Sequence, residues 1–148
     1  MSMRVRAAFA GIGFVCALWA LSLSAQSTET FKARLTPVPA DARTRPELTG
    51  SGTVSATLAG TTLTFSGSFE GLKTPATTAN VHAAVAPVAG VRGPVIADIS
   101  VPKAVNGAIS GKVELNAKQL ETLRKGGLYL EIHTEKAPEG ALWGWLLK

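Results

Sequence analysis

The only two imidazoles in the chain, His82 and His133, both fall in runs with the two-residue period of a β-strand. From Ala79 to Ala86 that period sets Asn80, His82 and Ala84 on one face, with Val81, Ala83 and Val85 on the other. From Leu128 to His133 it sets Tyr129, Glu131 and His133 together, opposite Leu128, Leu130 and Ile132. Both histidines therefore occupy the more polar face of their strands. If these strands are neighbours, the imidazoles with Glu131 or Asn80 could ligate a metal, and copper or zinc suits such nitrogen and oxygen donors. The competing expectation is that each is a hydrogen-bonded structural or exposed histidine. Two histidines without cysteine fall short of the usual three or four protein ligands.

Other chemistry finds less support. A serine or threonine nucleophile needs a positioned base and a group to orient it, but the hydroxyl residues here sit mostly on regularly alternating runs and no Gly-x-Ser-x-Gly elbow occurs. Glu131, Glu135 and Glu139 surround a turn, where solvated carboxylates are expected. Gly90 and Gly93 flank Arg92 in a loop that could present backbone amides to an anion, but an ordinary Gly/Pro turn is far more common, and the lack of a following helix excludes a phosphate loop. No catalytic residue is assigned, and the chain is not expected to be an enzyme. An aromatic group closes the sequence. Trp143 and Trp145 share one strand face with Ala141 and Leu147, while Leu142, Gly144 and Leu146 share the other. That strand is either buried on both sides or presents, with Tyr129, an aromatic binding surface for a glycan, polymer or protein.

The elements that must position these residues are mostly short strands. Phe31, Ala33 and Leu35 alternate with polar neighbours until Pro37 and Pro39. The polar stretch from Val38 to Gly50 is expected to be an exposed loop. Val54, Ala56 and Leu58, then Leu63, Phe65 and Phe69, alternate with hydroxyl residues on either side of a turn at Ala59 to Thr62, which predicts a β-hairpin. A loop at Lys73 to Thr78 precedes the His82 strand, and a Gly/Pro loop from Pro87 to Pro94 follows it. Val95 to Val101 and Gly107 to Leu115 are further strands, and Asn116 to Lys125 is a helix with Asn116 as its N-cap and Gly126 and Gly127 at its end. Strands at Leu128 to His133 and Ala141 to Leu147 finish the chain, separated by a turn with Pro138 and Gly140. Seven or eight short strands and one helix predict an all-β antiparallel sandwich or Greek-key barrel.

The compartment follows from the start of the sequence. Arg4 and Arg6, an apolar run from Ala7 to Leu23 and a Ser/Ala stretch read as a signal peptide cleaved after Ala25, which makes 1–25 the signal and 26–148 the domain. A retained anchor is the alternative, because the run of 17 residues lies at the lower limit of the ~17–25 that span a bilayer. Cys16 lies in mid-run behind bulky Phe14 and Val15, which argues against a lipid attachment site. Cleavage removes Cys16, so the mature domain has no disulfide and stands on its core alone. With Arg4 and Arg6 gone, 13 basic side chains face 10 acidic ones, and the net charge falls from +5 to +3. That small excess is scattered, and nucleic acid is not an expected partner.

The order and spacing of several parts resemble the chordin-type (CHRD) domain of animal chordins and exported bacterial proteins, over nearly the whole mature chain. They are Phe31-Lys32-Ala33-Arg34-Leu35 with Pro37 and Pro39; Ala79-Asn80-Val81-His82 with Gly90 and Gly93-Pro94; Leu123-Arg124-Lys125-Gly126-Gly127; and Leu128 through Thr134 with Pro138-Glu139-Gly140 and Gly144. In the family the central segment usually reads His-x-His, where this chain has Asn80 in the first place. The closing motif usually has Arg and Gln where Trp143 and Trp145 stand here. The resemblance implies an exported β-rich interaction module. Together these features lead to a noncatalytic binding or structural module, secreted or periplasmic, recognising a protein or extracellular polymer through Trp143, Trp145 and Tyr129. It carries no cofactor on this view; the alternative is a copper- or zinc-binding protein using His82 and His133.

Overall fold

The computed structural model describes residues 27–85 and 92–148. The expected signal peptide with Cys16, the Ala86 end of the His82 strand, and Gly90 lie outside the described residues. Eight strands form one antiparallel sheet: β1 (Thr28–Pro37), β2 (Ser51–Ala59), β3 (Thr62–Glu70), β4 (Ala76–Ala83), β5 (Val95–Ile99), β6 (Gly107–Glu114), β7 (Leu128–Thr134) and β8 (Leu142–Trp145). One helix, α1 (Ala117–Arg124), links β6 to β7.

The strand order is β5-β4-β7-β8-β1-β2-β3-β6. Its two ends approach each other at Ser100 and Ser110, whose backbone amides and carbonyls bond reciprocally at 2.9 and 3.2 Å. The sheet therefore curls into a nearly closed barrel, as the all-β pattern predicts. Among the described residues this seam rests on one isolated bridge.

The local causes are those of the alternation. Phe31, Ala33 and Leu35 of β1, Val54, Ala56 and Leu58 of β2, and Leu63, Phe65 and Phe69 of β3 are all buried. They meet Val81, Ile109, Leu130, Ile132 and Leu142 in one core. Each such Leu, Ile or Phe stabilises the fold by about 1.5–3 kcal/mol relative to an exposed position. The β2–β3 hairpin turns in two residues, with Gly60 at φ +63° supplying the left-handed backbone. Helix α1 begins with a reciprocal capping box: the Asn116 side chain accepts from the Gln119 amide while Gln119 accepts from the Asn116 amide, both at 2.9 Å.

Three expectations about elements are corrected. The loop from Val38 to Gly50 contains a single 3-10 turn, Arg45–Glu47, and tucks Val38 and Leu48 into the core, so it is not uniformly exposed. The His82 strand begins and ends three residues earlier than periodicity suggests, at Ala76 and Ala83, although the Ala84 amide still donates in register to the Gly127 carbonyl at 2.8 Å. The closing strand is cut to four residues, although Leu146 and Leu147 still bond to Leu128 and Lys32.

Candidate metal centre

β4 and β7 are direct neighbours, with His82 opposite Tyr129, Asn80 opposite Glu131 and Thr78 opposite His133. Because side chains alternate, Leu128, Leu130 and Ile132 enter the core while Tyr129, Glu131 and His133 point to the other face of β7. That face is also covered. Six of the seven β7 residues are buried, and His133 is half-buried. The cover comes from the segment Arg92–Pro94 on one side and the turn Ala137–Gly140 on the other.

Under this cover His82, Glu131 and His133 converge, each offering a ligand atom within 4.8 Å of the others. The two imidazole centroids stand 6.4 Å apart. Glu131 is only 1 % exposed and His82 only 8 %, too enclosed to be ordinary surface groups. His82 Nδ1 bonds the Gly93 carbonyl at 2.9 Å, and His133 Nδ1 bonds the Pro138 carbonyl at 3.0 Å. A carbonyl only accepts, so Nδ1 carries the proton in both rings. In a neutral ring this leaves Nε2 with the lone pair, the tautomer that metal-ligating histidines adopt when a backbone carbonyl orients them.

The remaining atoms point the same way. His82 Nε2, Glu131 Oε1 and His133 Nε2 are buried and have no hydrogen-bond partner among the described residues. His82 Nε2 and Glu131 Oε2 are 3.5 Å apart, and Arg92 Nη2 stands 3.3 Å from Glu131 Oε1, neither with the alignment of a hydrogen bond. Buried polar atoms without partners cost about 1–3 kcal/mol each, so three in one place need a physical explanation.

Two glycines make the cover possible. A Cβ at Gly93 would lie 1.7 Å from the Ala83 carbonyl oxygen, so only glycine lets this segment approach β4. Gly140, at φ +118°, would drive a Cβ to 1.9 Å from Glu131 Oε1. The Arg92 guanidinium also donates to the Glu139 carbonyl, tying the two covering segments together.

An aromatic stack continues from the site. Tyr129 lies on His82 with centroids 4.8 Å apart and planes 11° from parallel. It meets Trp145 at 4.6 Å and Trp143 edge-on at 5.9 Å. Its hydroxyl accepts from the Gly93 amide at 3.0 Å. Burial holds the phenol above its ordinary value near 10.0, against the amide bond that favours ionisation.

The sequence-derived candidates thus separate. His82 and His133 come together, with Glu131 as the third donor. Asn80 does not join them, since its amide donates to Asp98 at 2.6 Å. Glu135 and Glu139 are exposed as expected, whereas Glu131 is not a solvated turn residue, because the remote segment Arg92–Pro94 and the following turn Ala137–Gly140 both fold over it. Tyr129 is wholly buried and cannot belong to an exposed platform, while Trp143 and Trp145 are half-buried, 6.0 Å apart. Arg92, expected in an ordinary Gly/Pro turn or beside a backbone anion nest, faces the Glu131 carboxylate. The sequence signal for the third donor was the spacing Glu131-x-His133 on one strand face; nothing local pointed to the Gly93 and Pro138 carbonyls.

A family model described as the CHRD domain matches residues 31–146. No curated protein and no solved structure matches the chain. The matched span contains all eight strands in whole or part, the three converging donors and both covering segments. The chain belongs to the CHRD domain family.

Proposed function

We propose that this CHRD domain binds a transition-metal ion, copper or zinc, through His82 Nε2, His133 Nε2 and the Glu131 carboxylate. The observation that carries the proposal is the convergence of three buried donor atoms that lack hydrogen-bond partners among the described residues. Two of them sit on imidazoles whose other nitrogen is tied to a backbone carbonyl, the outer-shell arrangement that orients ligating histidines. A tetrahedral ion with nitrogen distances of about 2.0–2.1 Å needs donors about 3.3 Å apart. The present spread of up to 4.8 Å has to contract by up to about 1.5 Å on binding. Three protein ligands leave a fourth position for water or a donor from a partner. For such a donor set copper(II) is the tighter-bound of the two ions.

The domain is a binding module and not a catalyst on this view, because among the described residues no nucleophile with an orienting base accompanies the site. The N-terminal pattern of basic, apolar and small residues supports export to the periplasm or the exterior. Trp143 and Trp145, half-buried beside the site, are the aromatic surface left for a protein or polymer partner.

Isothermal titration of the metal-stripped protein with Cu(II) and with Zn(II) tests the site. Binding should weaken at least about a hundredfold in the His82→Ala, His133→Ala double variant, more than the loss of outer-shell groups alone causes. Equal affinities in the two proteins would overturn the proposal.

A further inference from the structure

Resting on that metal site, we infer that Arg92 is a resident counter-cation that competes with the incoming ion for Glu131, and so sets both affinity and the choice between ions of different charge. Glu131 is 1 % exposed, and a carboxylate so enclosed needs a compensating charge. The cation that faces it is Arg92, with Nη2 at 3.3 Å from Oε1. Arginine keeps its proton under all ordinary conditions and has no lone pair to offer a metal. It can therefore neutralise Glu131 but cannot coordinate anything.

The surroundings let the guanidinium yield while its backbone stays in place. Next to Arg92, the Gly93 amide donates to Tyr129 and the Gly93 carbonyl accepts from His82, while the Pro94 carbonyl accepts from Ala83 at 3.1 Å. The Arg92 side chain, by contrast, is 46 % exposed, and its contact with Oε1 lacks hydrogen-bond alignment. Swinging toward water gives up its hydrogen bond to the Glu139 carbonyl, a loss that water around this exposed side chain offsets in part. An ion entering between His82, His133 and Glu131 meets a fixed positive charge a few ångströms away and must displace it or bind against its repulsion. Coulomb repulsion scales with the charge of the ion. Arg92 thus opposes a divalent ion about twice as strongly, in free energy, as a monovalent ion in the same place.

Titration calorimetry of the metal-stripped wild type, Arg92→Gln and Lys112→Gln tests this, with Zn(II) as the divalent probe and Ag(I) as a redox-inert monovalent one. Lys112 is exposed on β6 and controls for the loss of a positive charge in general. Arg92→Gln should bind Zn(II) about tenfold more tightly and Ag(I) only about threefold more tightly, with both gains shrinking as salt rises. In the metal-free state Arg92→Gln should lower the melting temperature, and adding Glu131→Gln should restore most of the loss, because the uncompensated charge is then gone. Unchanged Zn(II) affinity in Arg92→Gln, an equal gain in Lys112→Gln, or a gain as large for Ag(I) as for Zn(II) would each overturn the competition while leaving the metal site standing. No Zn(II) binding by the wild type would remove the metal site and the competition together.

Discussion

Gly140 and Gly126 both hold left-handed backbone, at φ +118° and +73°, yet their side-chain surroundings differ. A Cβ at Gly126 meets only the flexible end of Leu147, at 2.9 Å, whereas at Gly140 it would run into the Glu131 carboxylate at 1.9 Å. Glu131 has little room to retreat, since it is 1 % exposed with Arg92 and Gly140 against its carboxylate. We expect Gly140→Ala to destabilise the protein by about 2–4 kcal/mol, combining backbone strain with overpacking. Gly126→Ala should cost only about 1 kcal/mol, mostly from the backbone. Urea midpoints at constant m-value measure both, and similar losses at the two positions would mean that the carboxylate does not depend on that space. The same displacement should weaken metal binding in Gly140→Ala and leave it intact in Gly126→Ala.

Strand β8 is the shortest of the eight, yet it joins β7 to β1 and so connects the two halves of the barrel. Gly144 allows that junction: a Cβ there would lie 2.7 Å from the Arg34 carbonyl oxygen and 2.8 Å from Leu35 Cδ2. Gly144→Ala should push β8 off β1, cost about 1–3 kcal/mol, and alter the fluorescence of the adjoining Trp143 and Trp145. An unchanged emission spectrum with unchanged stability would show that β8 tolerates the methyl. Elements of this kind mark the limit of what the sequence could reveal. Alternation in β2 and β3, the Gly60 turn and the Asn116 cap are local signals, and each appears in the structure where expected. The facing of Tyr129, Glu131 and His133 was also local, because it needs only the two-residue period. Of its cover, the Ala137–Gly140 turn was local too, but Arg92–Pro94 was not. Arg92–Pro94 lies more than thirty residues before β7 in sequence and reaches it only through the β4–β7 pairing, so local reading makes Glu131 one of three turn carboxylates and Arg92 a residue of an ordinary Gly/Pro turn. His82 and His133 stood out because they are the only imidazoles in the chain, and their adjacency required the topology.

At the scale of the whole molecule, one ionic cluster ties together parts that are distant in sequence. Glu29, near the start of β1, receives Arg124 from the end of α1 through Nη2 at 2.8 Å and Nε at 3.1 Å, and Lys148 at the C-terminus at 2.7 Å. The hydrogen bonds from Arg124 first, and from Lys148 second, lower the Glu29 carboxyl from its ordinary 4.5 to about 2. A carboxyl whose folded value is depressed stabilises the fold while it is ionised in both states, above the unfolded value. That contribution declines as pH falls from 4.5 toward about 2, where the folded protein also takes up the proton. The cluster is open to water, so its effect should be modest and should weaken with salt. Comparing wild type with Glu29→Gln by thermal unfolding across this range gives the check. The wild type should melt higher at pH 7, hold that advantage down to about pH 5, and lose it by about pH 2. An advantage that persists undiminished at pH 2 would mean that Glu29 holds the chain ends by packing and not by charge, and the same experiment in high salt would then show no change either.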